Sequence, residues 1–422
     1  MKATLKPDRH PCFNADVKAR CGRVHLPVAP HCNIRCNYCN RKYDCANESR
    51  PGVTSAVLTP VQAVRYLETV IEKEPRITVA GIAGPGDPLA DPNATLETMR
   101  LVKARFPEML LCLATNGLGL SPYLEELAGI GITHVTITVN ALDPEIGARV
   151  TSWIRDGKAI YRGAQGAELL AGRQLDAIAG LKARGVAVKV NTIVIPGVND
   201  EHVVEIARKM AELGVDLHNC MPMHPNAGTP FEHIPEPAPE RMDVIRTSAR
   251  LHVPQMLHCT RCRADAVGLI DSDRAAELRE CLSSCANSLP GTEERPYVAV
   301  ASLEGILVNQ HLGEACRLQI WANGKNGFTL VEERDAPEPG GGMKRWSELA
   351  EILGDCKAVL VNAIGETPRR ALAASGVLPI EMNGFIQMGL EAVYSGRNPG
   401  QFKARRRGCG KGRSCGGDGS GC

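Results

Sequence analysis

Three cysteines crowd into HCNIRCNYCN, residues 31–40: Cys32, Cys36 and Cys39. Their CxxxCxxC spacing fits neither a zinc finger nor a redox CxxC pair. An iron–sulfur cubane takes four ligands, so three thiolates from one loop leave one iron open to a further ligand. An open position on a zinc ion marks a catalytic site in the same way. The competing reading is a structural zinc knuckle, which needs a fourth donor; Cys45 or His31 could serve. Other donors exceed what one cluster needs. DRHPCF supplies His10 and Cys12, CGRVHLPVAP supplies Cys21 and His25, and RKYDCANES supplies Cys45 and Glu48. LLCLATNG supplies Cys112, and HCTRCRADAVG the pair Cys259 and Cys262. The excess suggests further clusters. Each donor also has a plainer reading. Cys112 sits in an apolar strand, where a cysteine acts as a small hydrophobe. His25 reads as a satisfied loop histidine, and the 259–262 pair as a redox couple or half a zinc site. Cys220 reads as core, and Cys281 and Cys285 face each other at i, i+4 on a helical run without an assigned role. Cys316 and Cys356 read as buried thiols, and Cys409, Cys415 and Cys422 lie in the tail.

The elements that must hold these residues show a strand–helix rhythm. In TPVQAVRYLETVIEKEP, Thr59 is an N-cap and Pro60 opens the helix, with Ala63, Val64, Leu67, Val70 and Ile71 on one face. RITVAGIAGPGDP, LLCLATNG, THVTITVN (133–140), VAVKVNTIVIPGVN (186–199) and VDLHNCMPM (215–223) read as buried strands. Amphipathic helices such as DEHVVEIARKMAELG (200–214) separate them. This alternation predicts a parallel sheet covered by helices, with ligands at the strand ends, where Gly84–Asp87, Thr115–Gly117, Asn140 and Asn191 fall. Five or six units predict an open, partial α/β barrel over 56–285. Residues 1–55 show no helix or strand period and read as an irregular cluster-binding segment. A linker at 286–294 leads to a second, smaller α/β domain at 295–396. The Gly-, Cys- and Arg-rich tail at 397–422 cannot bury a core and reads as disordered.

The 422 residues are 44% apolar, enough for two or three domains, and only 4% aromatic, so the core is mostly Ala, Val, Leu and Ile. A net charge of +2 argues against a general nucleic-acid binder. No apolar run suggests a signal peptide or a membrane helix, so a cytoplasmic location without membrane contact is expected. In that compartment the 17 cysteines are expected to serve metal or redox chemistry rather than a disulfide framework.

The cysteine loop ahead of an α/β domain resembles the radical S-adenosylmethionine (SAM) superfamily, whose open iron chelates SAM before reductive cleavage to a 5′-deoxyadenosyl radical. Tyr38 matches that family's aromatic beside the adenine, and AGPGDP (83–88) its glycine-rich turn, Gly84, Pro85, Gly86 and Asp87, which meets the methionine group through backbone. More narrowly, RHPC, CNIRCNYCNRKYDC, AGPGDPLA, ATNG and CTRCRADAVG together resemble the NifB family of nitrogenase FeMo-cofactor maturases. EGILVNQHLGEA through MGLEAVYSG is similar to the NifX-type, RNase H-like cofactor-binding domain fused to many members. Asp87 departs from the glutamate common in the family turn.

The resemblance implies that two [4Fe-4S] substrate clusters are fused, with a SAM-derived carbide and an extra sulfur, into an [8Fe-9S-C] precursor. It implies Cys32, Cys36 and Cys39 for the SAM cluster; His25, Cys45 and Cys112 for one substrate cluster; and Cys12, Cys259 and Cys262 for the other. Glu48 is a candidate proton handler or a solvated loop acid. Arg263 and Asp265 would orient the last motif, and Tyr38, Thr115, Asn116, Asn140 and Asn191 would contact SAM. Implied partners are iron–sulfur cluster donors, cofactor carrier or scaffold proteins, and a reductant such as ferredoxin or flavodoxin. Two alternatives stand beside this one: another radical SAM maturase with auxiliary clusters, and a non-catalytic iron–sulfur scaffold or carrier.

Overall fold

The computed structural model describes residues 9–40, 56–258, 265–287, 295–324 and 327–395. Cys45, Glu48, Cys259, Cys262, Arg263, linker residues 288–294 and the tail from 397 lie outside the described residues. The chain divides into two compact units, Met1–Ala286 and Asn287–Cys422.

The first unit is built on an eight-stranded sheet that curls into a half-barrel. Six parallel strands lie side by side in chain order: Gly22–His25, Ile77–Ile82, Leu110–Thr115, His134–Thr138, Ala187–Val194 and Leu217–Pro222, the first to sixth barrel strands. A hairpin, Val267–Leu269 with Ser272–Asp273, closes the near edge antiparallel to the first strand. Successive side chains of a strand point to opposite faces. Leu111, Leu113, Val135, Ile137, Val188 and Val190 therefore take one face, packed in a single core with Ala63, Leu67, Met99 and Ile178 of the covering helices. The other face, turned into the barrel, carries Cys112, Ala114, Thr136, Thr138, Lys189 and Asn191. Fully burying each Leu or Val of the outer core stabilises the fold by roughly 1.5–3 kcal/mol.

The first helix, Pro60–Lys73, forms where its sequence directs it. Thr59 and Gln62 make a reciprocal capping box, and Ala63, Leu67 and Val70 are buried. The first barrel strand is a departure from the sequence reading, which finds no strand period before residue 50. Its four residues, Gly-Arg-Val-His, are all buried, so no alternation marks them. A second departure is a three-stranded antiparallel sheet, Ile34–Cys36, Thr151–Asp156 and Ala159–Tyr161, which gives the middle of the cysteine loop a strand to lean on. Its outer hairpin turns at Gly157–Lys158, where Gly157 takes the positive φ such a turn needs.

In the second unit a five-stranded sheet runs Gly327–Asp335, Arg317–Gly324, Tyr297–Val300, Cys356–Val361, Leu378–Glu381. That is a 3-2-1-4-5 order of an antiparallel meander followed by parallel strands, the RNase H-like arrangement expected. Helices Met343–Ile352, Glu366–Ala374 and Ile386–Tyr394 supply Leu349, Leu372 and Leu390 to its two cores. Cys356 is buried, but Cys316 is exposed rather than buried: it stands on a bend ahead of its strand, outside the alternation that buries Leu318 and Ile320. Among the described residues no helix is long and apolar enough to cross a membrane.

Candidate functional site

The cysteine loop lies across the ends of the second and third barrel strands, fixed by backbone. Gly86 N–H donates to Ala29 O at 2.6 Å and Asp87 N–H to His31 O at 2.7 Å. Gly86 touches the loop so closely that a Cβ there would fall on the His31 carbonyl oxygen, which only glycine avoids. Cys36 is buried, while Cys32 and Cys39 are half-buried. Burial, and then the neighbouring Cys39 and Cys32, push the Cys36 thiol far above its ordinary pKa. A metal bound there would have to displace the thiol proton. Tyr38 is buried, and its hydroxyl accepts from Asn140 Nδ2 at 2.9 Å. Asn140 is held in turn, its Oδ1 accepting from Ile193 N–H at 2.8 Å.

A carboxylate joins the glycine turn to the third strand. Asp87 accepts from Leu89 N–H at 2.9 Å, Asn116 N–H at 2.6 Å and the Thr115 hydroxyl at 2.9 and 3.0 Å. Burial raises its pKa, and these hydrogen bonds oppose the shift. Asn116 Nδ2 then donates to Asn33 Oδ1 inside the cysteine loop at 2.7 Å. Beside this network opens a cleft of about 420 Å³, lined by Cys36, Tyr38, Asn116, Thr138, Asn140 and Gln174 among others. Gln174 seals its rim by donating to the carbonyls of Asn116 and Thr138, each at 2.8 Å. The glycine turn, Thr115 and Asn191 are not among the lining residues; Asn191 accepts from Asn219 Nδ2 at 3.3 Å on the neighbouring strand.

One side-chain layer further along the same strands lies a second, partly open hollow of about 340 Å³, open solvent included. Cys12, His25 and Cys112 all line it. His25 pairs across to Gly81 and Gly81 to Cys112, so the two donors flank a residue with no side chain. A Cβ on Gly81 would come within 3.0 Å of the His25 ring and 3.7 Å of Cys112 Cβ, in the space between them. Thus Cys112 and His25 are strand residues facing a common hollow. Cys12 arrives from the segment before the first strand, where Cys12 N–H donates to His10 Nδ1 at 3.2 Å, and Phe13 packs edge-on and His134 tilted against the His10 ring. Among the described residues no three such side chains converge to hold one metal ion. A cubane spreads its ligands over different irons, so separated donors fit it better than a single ion.

The sequence matches the Radical SAM superfamily model over residues 26–210 and the Dinitrogenase iron-molybdenum cofactor model over 294–396. It is 51% identical over 99% of its length to the full-length FeMo cofactor biosynthesis protein NifB of Chlorobaculum tepidum. The chain belongs to the NifB family. The Klebsiella pneumoniae NifB is 39% identical over 89% of this chain and 87% of its own length. Among solved structures, Streptococcus suis SuiB bound to S-adenosylmethionine aligns over 57% of this chain and 52% of its own at 15% identity, with a TM-score of 0.40.

For a NifB chain, two features of the inner cavity escape the sequence reading. Arg23 and Lys189 line it beside the thiols. Lys189 had a legible signal, a lone charge within the apolar strand VAVKVNTIVI, but its direction depends on the barrel. Burial lowers the His10 pKa well below the usual imidazole range, helped by His134 and Lys189. Three asparagines that brace the cysteine loop were also missed: Asn33; Asn40, which donates to Ala227 O at 2.6 Å; and Asn226, which donates to Tyr38 O at 2.8 Å. Cys220 is core, as expected, and Cys281 and Cys285 sit on the helix Ala275–Asn287. Asp265 is buried, near Tyr66.

Proposed function

We propose that this NifB-family chain fuses two [4Fe-4S] substrate clusters, inserting a carbon from SAM and an additional sulfur, to make the [8Fe-9S-C] precursor of the nitrogenase cofactor. The observation that carries this reading is the inner cavity. Cys12, His25 and Cys112 reach it from three separate segments of the chain, in the same half-barrel as the cleft beside the cysteine loop.

Cys32, Cys36 and Cys39 would hold the SAM cluster. Their chemistry fits it, with three thiols on one braced loop, Cys36 buried and Cys32 and Cys39 half-buried. When bound, that cluster supplies the electron for reductive cleavage of SAM. The rest is done by the chain. The turn Gly84–Asp87 presents backbone to the methionine end, Tyr38 flanks the adenine, and Asn116 and Asn140 orient SAM from the cleft wall. Asp87, bound to Thr115 and Asn116, positions rather than contacts. Thr115 and Asn191 support the wall from behind. His25 and Cys112, with Cys45, would hold one substrate cluster, and Cys12, with Cys259 and Cys262, the other. Glu48 would handle protons released as carbon loses hydrogen. A neutral histidine ligand exchanges more readily than a thiolate, which suits a cluster that must leave.

Cleft and cavity share strands: Asn116 follows Ala114 and Cys112 on the third, and Thr138 follows Thr136 on the fourth. Two residues further along a strand is the next position on the same face. A radical made in the cleft would thus stand one layer from a substrate in the cavity. A carrier or scaffold without catalysis has no use for the SAM cleft. The reductant, cluster donors and product carriers act from outside the chain.

Anaerobic reconstitution followed by iron analysis tests this. About three cubanes per chain are expected, from nine donors at three each. Iron for one cluster alone would overturn the fused-cluster reading and leave a generic radical SAM enzyme.

A further inference from the structure

The three-stranded sheet that holds the middle of the cysteine loop has two unlike faces. Its inner face belongs to the cleft: Ile34, Cys36 and Thr151 line that space, and Ile154 is buried. Alternation puts the residues between them on the outer face. There Arg35 stands opposite Trp153, and Arg155 opposite Ile160. Arg155 is exposed, as are Lys158 in the hairpin turn and Arg162 just past the last strand, while Arg35 and Trp153 are half-buried. Ile160 is 50% exposed.

Among the described residues Arg35, Arg155, Lys158 and Arg162 are in no ion pair. The hairpin's carboxylate, Asp156, alternates onto the inner side and is held by Arg173 at 3.1 Å. Arg162 reaches the Ser152 carbonyl at 3.5 Å. The whole chain carries a net charge of only +2, so this concentration of unpaired cations around an apolar side chain is local. Such a face steers an oppositely charged protein into contact and sets which partner is accepted. A small charged face with an apolar centre suits the brief contact of an electron-transfer pair, which buries less than about 1,200 Å². It is also well placed. Arg35 on the outside and Cys36 on the inside are consecutive residues of one strand, so a single backbone layer separates the face from the cysteine loop.

We infer that the outer face of this sheet, with Arg35, Arg155, Lys158 and Arg162 around Ile160, docks an acidic one-electron carrier protein that reduces the cluster of the cysteine loop. The inference rests on the reading that Cys32, Cys36 and Cys39 hold that cluster. One electron passes: the carrier is oxidised by one unit and the cluster reduced by one, with no atom transferred. The exposed cations act on the carrier and touch neither SAM nor the reacting atoms.

The test uses the full, anaerobically reconstituted chain, flavodoxin as the acidic carrier, and a variant combining Arg155→Glu, Lys158→Glu and Arg162→Glu. In calorimetry the wild type should bind flavodoxin, more weakly as salt is raised. The triple variant should bind about tenfold more weakly. The flavodoxin KM for 5′-deoxyadenosine release should rise in step. With dithionite, which needs no docking, the variant should match the wild type. A chain with Arg155→Lys and Arg162→Lys should keep its affinity. If the triple variant does not fold, Lys158→Glu alone, in the exposed turn, should weaken binding about threefold. Flavodoxin affinity that is indifferent to charge reversal or to salt overturns the inference, while dithionite-driven cleavage leaves the SAM reading standing. Anionic phospholipid vesicles that bind the wild type but not the triple variant, with flavodoxin affinity unchanged, overturn it in favour of a membrane surface. A wild type that cleaves no SAM even with dithionite overturns both readings.

Discussion

The cleft and the inner cavity lie along the same barrel strands yet are made of different chemistry. The cleft is backed by a web of amides and hydroxyls centred on one carboxylate, each tied to the next: Asp87 to Thr115 and Asn116, Asn116 to Asn33, Asn140 to Tyr38 and Ile193. The cavity has sulfur, imidazole and cationic walls, with an empty space kept open by a missing side chain at Gly81. The first arrangement is preorganised for one small molecule of fixed shape. The second gathers soft and cationic side chains around one hollow. A web of hydrogen bonds fails when one strand of it is cut, whereas a hollow fails when it is filled.

Breaking the cysteine loop should have the largest effect. Cys36→Ala is expected to reduce 5′-deoxyadenosine release, followed by chromatography, to the level without protein; turnover above that level would detach the loop from SAM cleavage. Filling the cavity comes next. Gly81→Ala should fold, because the residue needs no left-handed backbone, yet bind less iron while still cleaving SAM. Unchanged iron would mean that the space between His25 and Cys112 is not used. Asp87→Asn places an amide against the Asn116 N–H and should cost about 2 kcal/mol in chemical denaturation; wild-type stability would show that the carboxylate is not the tie. Tyr38→Phe removes one hydrogen bond to Asn140 and should weaken SAM binding by about 1 kcal/mol, measured by calorimetry. Least of all, Thr59→Ala removes a helix cap far from either region. It should cost about 1 kcal/mol of stability and leave SAM cleavage and iron content unchanged.

Much of the frame is legible before any coordinates. Thr59, Pro60 and the apolar spacing after them announce the first helix, and LLCLATNG and THVTITVN announce central strands because Leu111 and Leu113, and Val135, Ile137 and Val139, repeat on one face. The cysteine loop announces itself by spacing. What the sequence hides is mostly what depends on curvature. Gly22–His25 is too short and too uniformly buried to show a period, although it carries both Arg23 and His25. In VAVKVNTIVI the inward positions are Lys189 and Asn191, but a strand pattern cannot say that its polar face lines a hollow rather than meeting solvent. Cys112 illustrates the same ambiguity: its parity with Ala114 places it inside, where a thiol can be either packing or a ligand. The bracing by Asn33, Asn40 and Asn226 joins residues distant in sequence and leaves no local mark. The bend that exposes Cys316 likewise follows from the tertiary path of the chain.

The central claim is that the inner cavity holds iron independently of the cysteine loop. Its most direct test is iron and EPR analysis of a chain with Cys32, Cys36 and Cys39 all replaced by alanine. That chain should still bind cubane iron after anaerobic reconstitution, and a further Cys112→Ala substitution should remove part of it. A loop-less chain that binds no iron, or one whose iron is indifferent to Cys112, would contradict the account.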